Sequence, residues 1–92
     1  MIRYFIGANN ETGEVDIKAI RYIFDAHFTC YSIIDSLGRW EGKNENSVIV
    51  EVQPESEQTY SDFEIHRLCK ILKARLQQDA IGYQILPKLI II

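Results

Sequence analysis

The stretch TCYSIIDSLGRWEGKNENSVIVEV, residues 29–52, decides the fold because it contains two strand-like runs joined by a polar turn. The first run, residues 29–40, is rich in β-branched and aromatic side chains, and the second, residues 47–52, places three valines on one face. Residues 41–46 separate the two runs, so we expect a hairpin with a loop longer than the two-residue minimum. Gly38 near the end of the first run favours a bulge or a close approach of the backbone.

A helical pattern lies on each side of this hairpin. Residues 16–27 repeat apolar side chains at helical spacing, and residues 61–78 begin with a capping box made by Ser61 and Glu64. The apolar residues of the second helix recur every three or four positions and form its predicted core stripe. They are Ile65, Leu68, Cys69, Leu72 and Leu76. Strand-like runs at residues 2–8 and 81–86 open and close the pattern.

The resulting order, β-α-β-β-α-β, is typical of a ferredoxin-like sandwich of the α+β class. We therefore predict one domain over residues 1–92, with a four-stranded antiparallel sheet and both helices on one face. Residues 88–92 are very apolar, so we expect them to add an extra C-terminal strand or to pair with a neighbouring subunit. The sheet face without helices mixes aliphatic and polar residues, which favours coverage by a second copy and predicts a homo-oligomer.

The composition argues against several partners. The net charge is −3, which does not suit a nucleic-acid binder, and the third strand lacks the aromatic residues of an RNA-binding sheet. RNA binding is therefore the third and least favoured alternative, which requires a positive surface in the folded protein. The longest apolar run is too short to cross a bilayer, so we expect no membrane partner. Cys30 and Cys69 lie in apolar stretches of a chain without a secretory leader, so we expect reduced, buried thiols in a cytoplasmic protein.

Patterns for catalysis and metal binding are scarce. The glycines form neither a phosphate loop nor a dinucleotide fingerprint, and no zinc-like spacing occurs, so we predict no cofactor, metal or catalytic residue. His27 at the end of the first helix and His66 in the second are interpreted as structural or solvated. The alternative is a small dimeric α/β-barrel enzyme with a pocket between two sheets. Asp35, His66 and Tyr4 are the residues that this alternative would use.

Residues 37–43, LGRWEGK, form the most distinctive segment and carry the single tryptophan of the chain. In a recognition loop, Trp40 would be a flat apolar anchor, and Arg39 and Lys43 would contact anionic groups. In a scaffold, Trp40 would instead cover an edge of the core beside the turn. We predict that Arg39, Trp40 and Lys43 form the binding surface.

Residues 28–43, FTCYSIIDSLGRWEGK, followed by SVIVEV at residues 47–52, resemble small uncharacterised proteins of tailed bacteriophages and some bacteria. Those proteins share an opening strand with a Gly-x-Asn-like loop, a strand ending in Gly-x-Trp-x-Gly and a strand of the Val-Ile-x-Glu kind. The resemblance covers most of the chain and implies a phage or prophage origin, without an agreed activity or site residues. Together with the residues, it predicts an oligomeric accessory protein that binds a host protein or a small anionic ligand.

Overall fold

A computed structural model describes residues 1–53, 61–87 and 90–92, except for the side chain of Trp40. The elements are β1 (Ile2–Gly7), α1 (Ile17–Asp25), β2 (Tyr31–Trp40), β3 (Lys43–Val52), α2 (Asp62–Arg75) and β4 (Gly82–Ile85). The strands form one antiparallel sheet in the order β2-β3-β1-β4. The α+β class, the element order and the four-stranded antiparallel sheet are therefore confirmed.

Alternate residues of the two central strands, β1 and β3, point into the core. In their register each buried side chain lies opposite another buried side chain, as expected for a sheet with one covered face. The buried residues are Ile2, Tyr4 and Ile6 of β1 and Val48, Val50 and Val52 of β3. The helices pack on this side, which we call the helix face.

Both helices begin at residues that cap them. The Oδ1 atom of Asp16 accepts a hydrogen bond from the backbone N–H of Ala19 at 3.0 Å, and Oγ of Ser61 accepts from that of Glu64 at 3.3 Å. The second contact is one half of the predicted capping box. The helix residues of the core are Ile20, Ile23 and Phe24 of α1, followed by Ile65, Leu68, Cys69, Leu72 and Leu76, which confirm the predicted stripe.

The turn of the hairpin differs from the prediction. Because β3 begins at Lys43, only Glu41 and Gly42 connect the strands, with φ of 50° and 78°. Positive φ at both central residues is typical of a type I′ turn, whose twist matches that of the strands. The predicted longer loop is wrong because residues 43–46 pair with β2 instead of forming the loop. Gly38 lies in regular register opposite Glu45, without the expected bulge.

Two further expectations need correction. Cys30 is exposed between α1 and β2, so the predicted burial of the thiols holds for Cys69 alone. Residues 90–92 lie outside the sheet with exposed side chains, so the described residues form no extra C-terminal strand. Lys88 and Leu89, which belong to the same apolar tail, lie outside the described residues. Among the described helices, none has the length and apolar character needed to span a bilayer.

The second face of the sheet is covered by no described element, and we call it the open face. It carries the residues that alternate with the buried ones, and these include charged as well as apolar side chains. They include Arg3, Phe5, Ile34, Ile49 and Glu51, of which Phe5 and Ile34 are 40% and 42% exposed. A pairing of Arg3 Nε with Glu51 Oε1 at 2.6 Å bridges β1 and β3 on this face.

Candidate binding site at the β2–β3 hairpin

The outer half of the β2–β3 hairpin extends beyond the helices. In β3, residues 48, 50 and 52 are buried, whereas every residue from 43 to 46 is exposed. The ladder is nevertheless continuous from the pair of Tyr31 with Val52 to the pair of Trp40 with Lys43. Paired backbone groups therefore hold the tip in one register, although few side chains pack against it.

Arg39 and Lys43 lie on opposite faces of this projecting ribbon. Because side chains alternate along each strand, Arg39 lies on the helix face and Lys43 on the open face, and both side chains are exposed. Nη1 of Arg39 donates to Oδ1 of its cross-strand neighbour Asn44 at 2.6 Å. This hydrogen bond holds the guanidinium beside the ribbon, so the two predicted contacts can reach a partner from two sides of one tip.

The surroundings of the two cations are not uniformly positive. Trp40 lies opposite Lys43 in the register, and its side chain is outside the described part, so its role as anchor or as cover of the core stays a prediction. Glu41 and Glu45 are exposed beside the cations, and the formal charges of these four ionisable residues cancel. The tip therefore presents a mixed charge pattern, which suits a complementary protein surface better than a simple anion.

A first groove, of about 650 Å³, lies between the hairpin and the start of α1. It is lined by Glu14, Val15, Ile17, Asp35, Ser36, Leu37, Asn46, Ser47 and Val48. Two of these side chains are carboxylates, and none of the described lining residues is basic. The groove therefore favours apolar groups and hydrogen-bond donors and disfavours anions.

A second groove, of about 350 Å³, lies between the tip and the β1–α1 loop and is rich in amides. Oδ1 of Asn9 accepts hydrogen bonds from the backbone N–H groups of Glu11 at 2.8 Å and Thr12 at 3.2 Å, which fixes the loop. Beside the start of this loop, Nε2 of Gln78 donates to the carbonyl of Ala8 at 2.6 Å. The turn-forming residues 9–13 could have pointed to this loop, whereas Gln78 is 70 positions from Ala8 and carries no local signal.

The residues of the enzyme alternative do not converge. Tyr4 is buried on the helix face, where desolvation, followed by Cys69 and Tyr83, raises the pKa of its phenol. Nε2 of His66 lies 3.3 Å from the Tyr83 hydroxyl on the β4 side of the sheet. Asp35 lies on β2, at the other edge of the sheet. No substrate-sized space joins these three side chains among the grooves described above.

His27 has a local contact that explains its position. Its Nδ1 lies 2.8 Å from the carbonyl oxygen of Ile23, in the last turn of α1. An imidazole placed there satisfies one of the carbonyl groups that a helix leaves free at its C-terminus. Within the described part of the chain, no three His, Cys, Asp or Glu residues are placed to hold a metal ion.

The hairpin tip and the two grooves beside it thus form one continuous exposed region at the end of the sheet. It contains the predicted residues Arg39 and Lys43, and it adds Asn44, Asn9 and Gln78, which the sequence did not indicate. Comparison with known proteins assigns no relative to this region or to the fold: no family model, no curated protein and no solved structure matches the chain.

Proposed function

We propose that this chain is a small, oligomeric, non-enzymatic binding protein that contacts a partner protein through the tip of the β2–β3 hairpin. The observation that carries the proposal is the projecting ribbon itself, with Arg39 and Lys43 exposed on its two faces at the end of a continuous ladder. A partner surface that closes around the tip would meet both cations, one on each face of the ribbon. Because the ladder fixes the tip before binding, little conformational entropy would be lost on association.

The shape of the region favours a macromolecular partner over a small ligand. Sites for small molecules usually enclose most of the ligand surface, whereas both grooves here are open at the surface. The carboxylates of Glu14 and Asp35 also disfavour an anion in the larger groove. A small anionic ligand remains the second candidate, and it would bind at the tip, where the Arg39 guanidinium is already oriented by Asn44.

The fold and the origin of the chain are part of the same proposal. The strand order β2-β3-β1-β4, with one helix after β1 and one after β3, supports a ferredoxin-like domain, which requires both crossovers to be right-handed. The resemblance at residues 28–52 supports a tailed phage or prophage origin and therefore a host protein as partner in the bacterial cytoplasm. The enzyme alternative loses support because Asp35, His66 and Tyr4 are dispersed, and RNA binding has no support from the acidic, non-aromatic β3.

The test is partner capture from lysate of a bacterial host, with variants that separate the tip from the rest of the surface. Arg39→Ala/Trp40→Ala/Lys43→Ala removes two cations and one aromatic side chain from the tip. The matched control is a triple alanine variant of α1 that also removes two cations and one aromatic side chain, all exposed, at Lys18, Arg21 and Tyr22. We expect a defined protein to be retained by the wild type and by the control and to be lost from the tip variant.

Direct contact is then tested by a photo-cross-linking residue at position 43, compared with the same residue at position 18. The proposal requires a discrete cross-linked product at position 43 and none at position 18. Equal cross-linking at both positions, or capture that survives in the folded tip variant, contradicts a role of the tip. Circular dichroism and thermal unfolding of each variant establish that the loss of binding does not follow from a loss of folding.

A further inference from the structure

The open face is organised in rows that run across the four strands. In the central row, the register places Gly82, Phe5, Ile49 and Ile34 side by side, so this row is apolar and has one position without a side chain. A second row, two residues along each strand, consists of Gln84, Arg3, Glu51 and Ser32. A third row is short and small, with Gly7, Ser47 and Ser36.

The ion pair in the second row is incompletely satisfied within one chain. Arg3 donates through Nε to Oε1 of Glu51, and the structure describes no further hydrogen bond for the two Nη groups of Arg3 or for Oε2 of Glu51. The side chains are 38% and 21% exposed, so a second chain can reach both. A guanidinium has five N–H donors, and a carboxylate can accept several of them, which leaves capacity for a second pairing.

These rows are self-complementary under one particular rotation. A twofold axis that runs parallel to the strands, between β1 and β3, reverses the order of every row on the facing copy. It places Arg3 over the partner's Glu51 and, by symmetry, Glu51 over the partner's Arg3, so that four charges alternate in sign.

The same rotation also matches side-chain size in the apolar row. Phe5 comes to lie over the partner's Ile49, and Ile34 over the partner's Gly82. A Cβ at Gly82 would meet only Cβ of Phe5 at 3.7 Å and its ring carbon Cδ2 at 3.8 Å, both ordinary contacts, so this position has no side chain of its own beside the Phe5 ring. Ile34, at one end of the row, therefore lies over the position without a side chain at the other end of the partner's row.

The face is of moderate size. With strands about 4.8 Å apart and a rise of about 3.3 Å per residue, the part of the sheet outside the hairpin tip has a projected area of roughly 350 Å². Side chains standing on that area expose more surface than the projection, so a face-to-face dimer falls toward the small end of specific interfaces, below the roughly 800 Å² per partner of a standard one. Two sheets that pack face to face lie about 10 Å apart with their strands nearly aligned, which this axis allows.

We infer that a second copy of this chain covers the open face in a twofold dimer, in which Arg3 of each subunit pairs with Glu51 of the partner subunit. The inference gives a structure to the oligomer of the proposed function. It rests on that function only in so far as both require the protein to be oligomeric. It does not involve the hairpin tip, and the two proposals can therefore fail separately.

The test uses charge reversal followed by mixing, with the full-length chain in sedimentation velocity experiments. Arg3→Glu makes both charged positions of the second row acidic, and Glu51→Arg makes both basic. In a dimer of either variant, positions 3 and 51 of each subunit therefore face a like charge on the partner subunit. We expect the dimer affinity of each to fall by at least about 100-fold. Lys18→Glu, which changes an exposed charge on α1 by the same amount, is the matched control and should remain dimeric.

Mixing the two variants separates an intersubunit pair from an intrachain one. In the mixed dimer, the new carboxylate at position 3 faces the new guanidinium at position 51, while the intrachain pair stays broken in both subunits. We expect a heterodimer with an affinity within about tenfold of the wild type, visible in native mass spectrometry because the two variants differ in mass. Restoration by mixing cannot come from repair of either subunit.

Four results would overturn the inference: a monomeric wild type at micromolar concentration, single variants that are folded and still dimeric, a mixture in which no heterodimer forms, or a wild type of higher order. Deletion of residues 90–92 tests the other apolar surface, since their side chains are strongly exposed. The deletion variant should remain dimeric. If it is monomeric while the charge variants associate normally, the C-terminal tail and not the open face makes the contact.

Discussion

Tyr4 and Phe24 meet edge to face, with ring centroids 5.5 Å apart and an angle of 69° between the ring planes. Phe24 also lies 5.9 Å from the ring of Phe28 and 5.6 Å from that of Tyr31. One fully buried side chain of α1 therefore contacts β1, β2 and the segment that follows its own helix. Aromatic pairs of this kind contribute about 0.5–1.5 kcal/mol beyond the burial of their surface.

Phe24→Ala should lower the free energy of unfolding by about 3–5 kcal/mol, because it removes these ring contacts and leaves a cavity between sheet and helices. The measurement is guanidinium unfolding followed by circular dichroism. Tyr22→Ala, two residues away on the solvent side and 72% exposed, is the control and should change stability by less than about 0.5 kcal/mol. Equal effects of the two substitutions would show that α1 does not pack as described.

Gly42→Ala should destabilise the hairpin by about 1 kcal/mol, because φ at this position is 78° and a Cβ is disfavoured there. The control is the other glycine of the hairpin. At Gly38 the backbone is regular, and a Cβ would meet the Glu45 carbonyl oxygen at 3.5 Å, an ordinary contact, so Gly38→Ala should cost less. Denaturant midpoints of both variants give the comparison, and a larger loss for Gly38→Ala would contradict the type I′ turn.

The folded protein should lose stability at alkaline pH. Burial raises the pKa of the Cys69 thiol and of the Tyr4 phenol, and burial with a 2.6 Å hydrogen bond to Asp25 raises that of Tyr31. Above the ordinary pKa values, the unfolded chain has lost these protons while the folded chain still holds them. Unfolding then releases protons, so the free energy of unfolding decreases as the pH rises.

This stabilising contribution is complete below the ordinary thiol and phenol pKa values and disappears as the pH rises through the raised ones. Guanidinium unfolding at a series of pH values from neutral to about pH 11 measures the slope. Tyr4→Phe/Cys69→Ala removes two of the three groups, so its stability should depend less steeply on pH in that range, whatever its absolute value. An unchanged slope would exclude both groups as its cause.

The two thiols should react with alkylating reagents at very different rates. Cys30 is exposed, whereas Cys69 is buried and its raised pKa keeps it in the unreactive thiol form. Iodoacetamide should therefore modify one cysteine rapidly in the native protein and the second only after denaturant is added. Peptide mapping identifies the modified residue, and Cys30→Ser should abolish the rapid reaction. Rapid labelling of Cys69 would contradict the packing of α2 on the sheet.

The periodicity of the sequence was sufficient to predict the element order and the core residues of the central strands and helices. In α2, Ile65, Leu68 and Leu72 recur at helical spacing, and in β3, Val48 and Val50 alternate with other residues. Each spacing places the apolar residues on one face of its element, and that face is buried. Local propensity was a weaker guide at the hairpin turn. The Glu41-Gly42 pair lacks the Asn-Gly signal of type I′ turns, and residues 43–46 are polar; they form a strand because the backbone of β2 is available for pairing.

For the candidate site, the sequence indicated Arg39 and Lys43, whose role stays a prediction, but not how they are arranged. Arg39 and Lys43 were indicated by their position beside a tryptophan, but their separation onto two faces depends on a turn of two residues, where the polar composition of residues 41–46 predicted a loop of six. The contact of Gln78 with Ala8 joins segments that lie 70 positions apart, and such a long-range hydrogen bond has no counterpart in sequence spacing. Similarly, the pairing of Arg3 with Glu51 follows from strand register alone.

The two-residue turn also limits how the tip can change by mutation. Inserting or deleting a single residue in one strand shifts that strand's register by one, and side chains that now face the helices would face the other way. Arg39 and Lys43 would no longer occupy their present sides, and the alternation that buries Val48 could be lost as well. Substitutions at the tip keep the register of both strands, and so does the insertion of one residue in each strand beside the turn. Hairpins of this kind with altered partner choice should therefore differ in length by even numbers of residues.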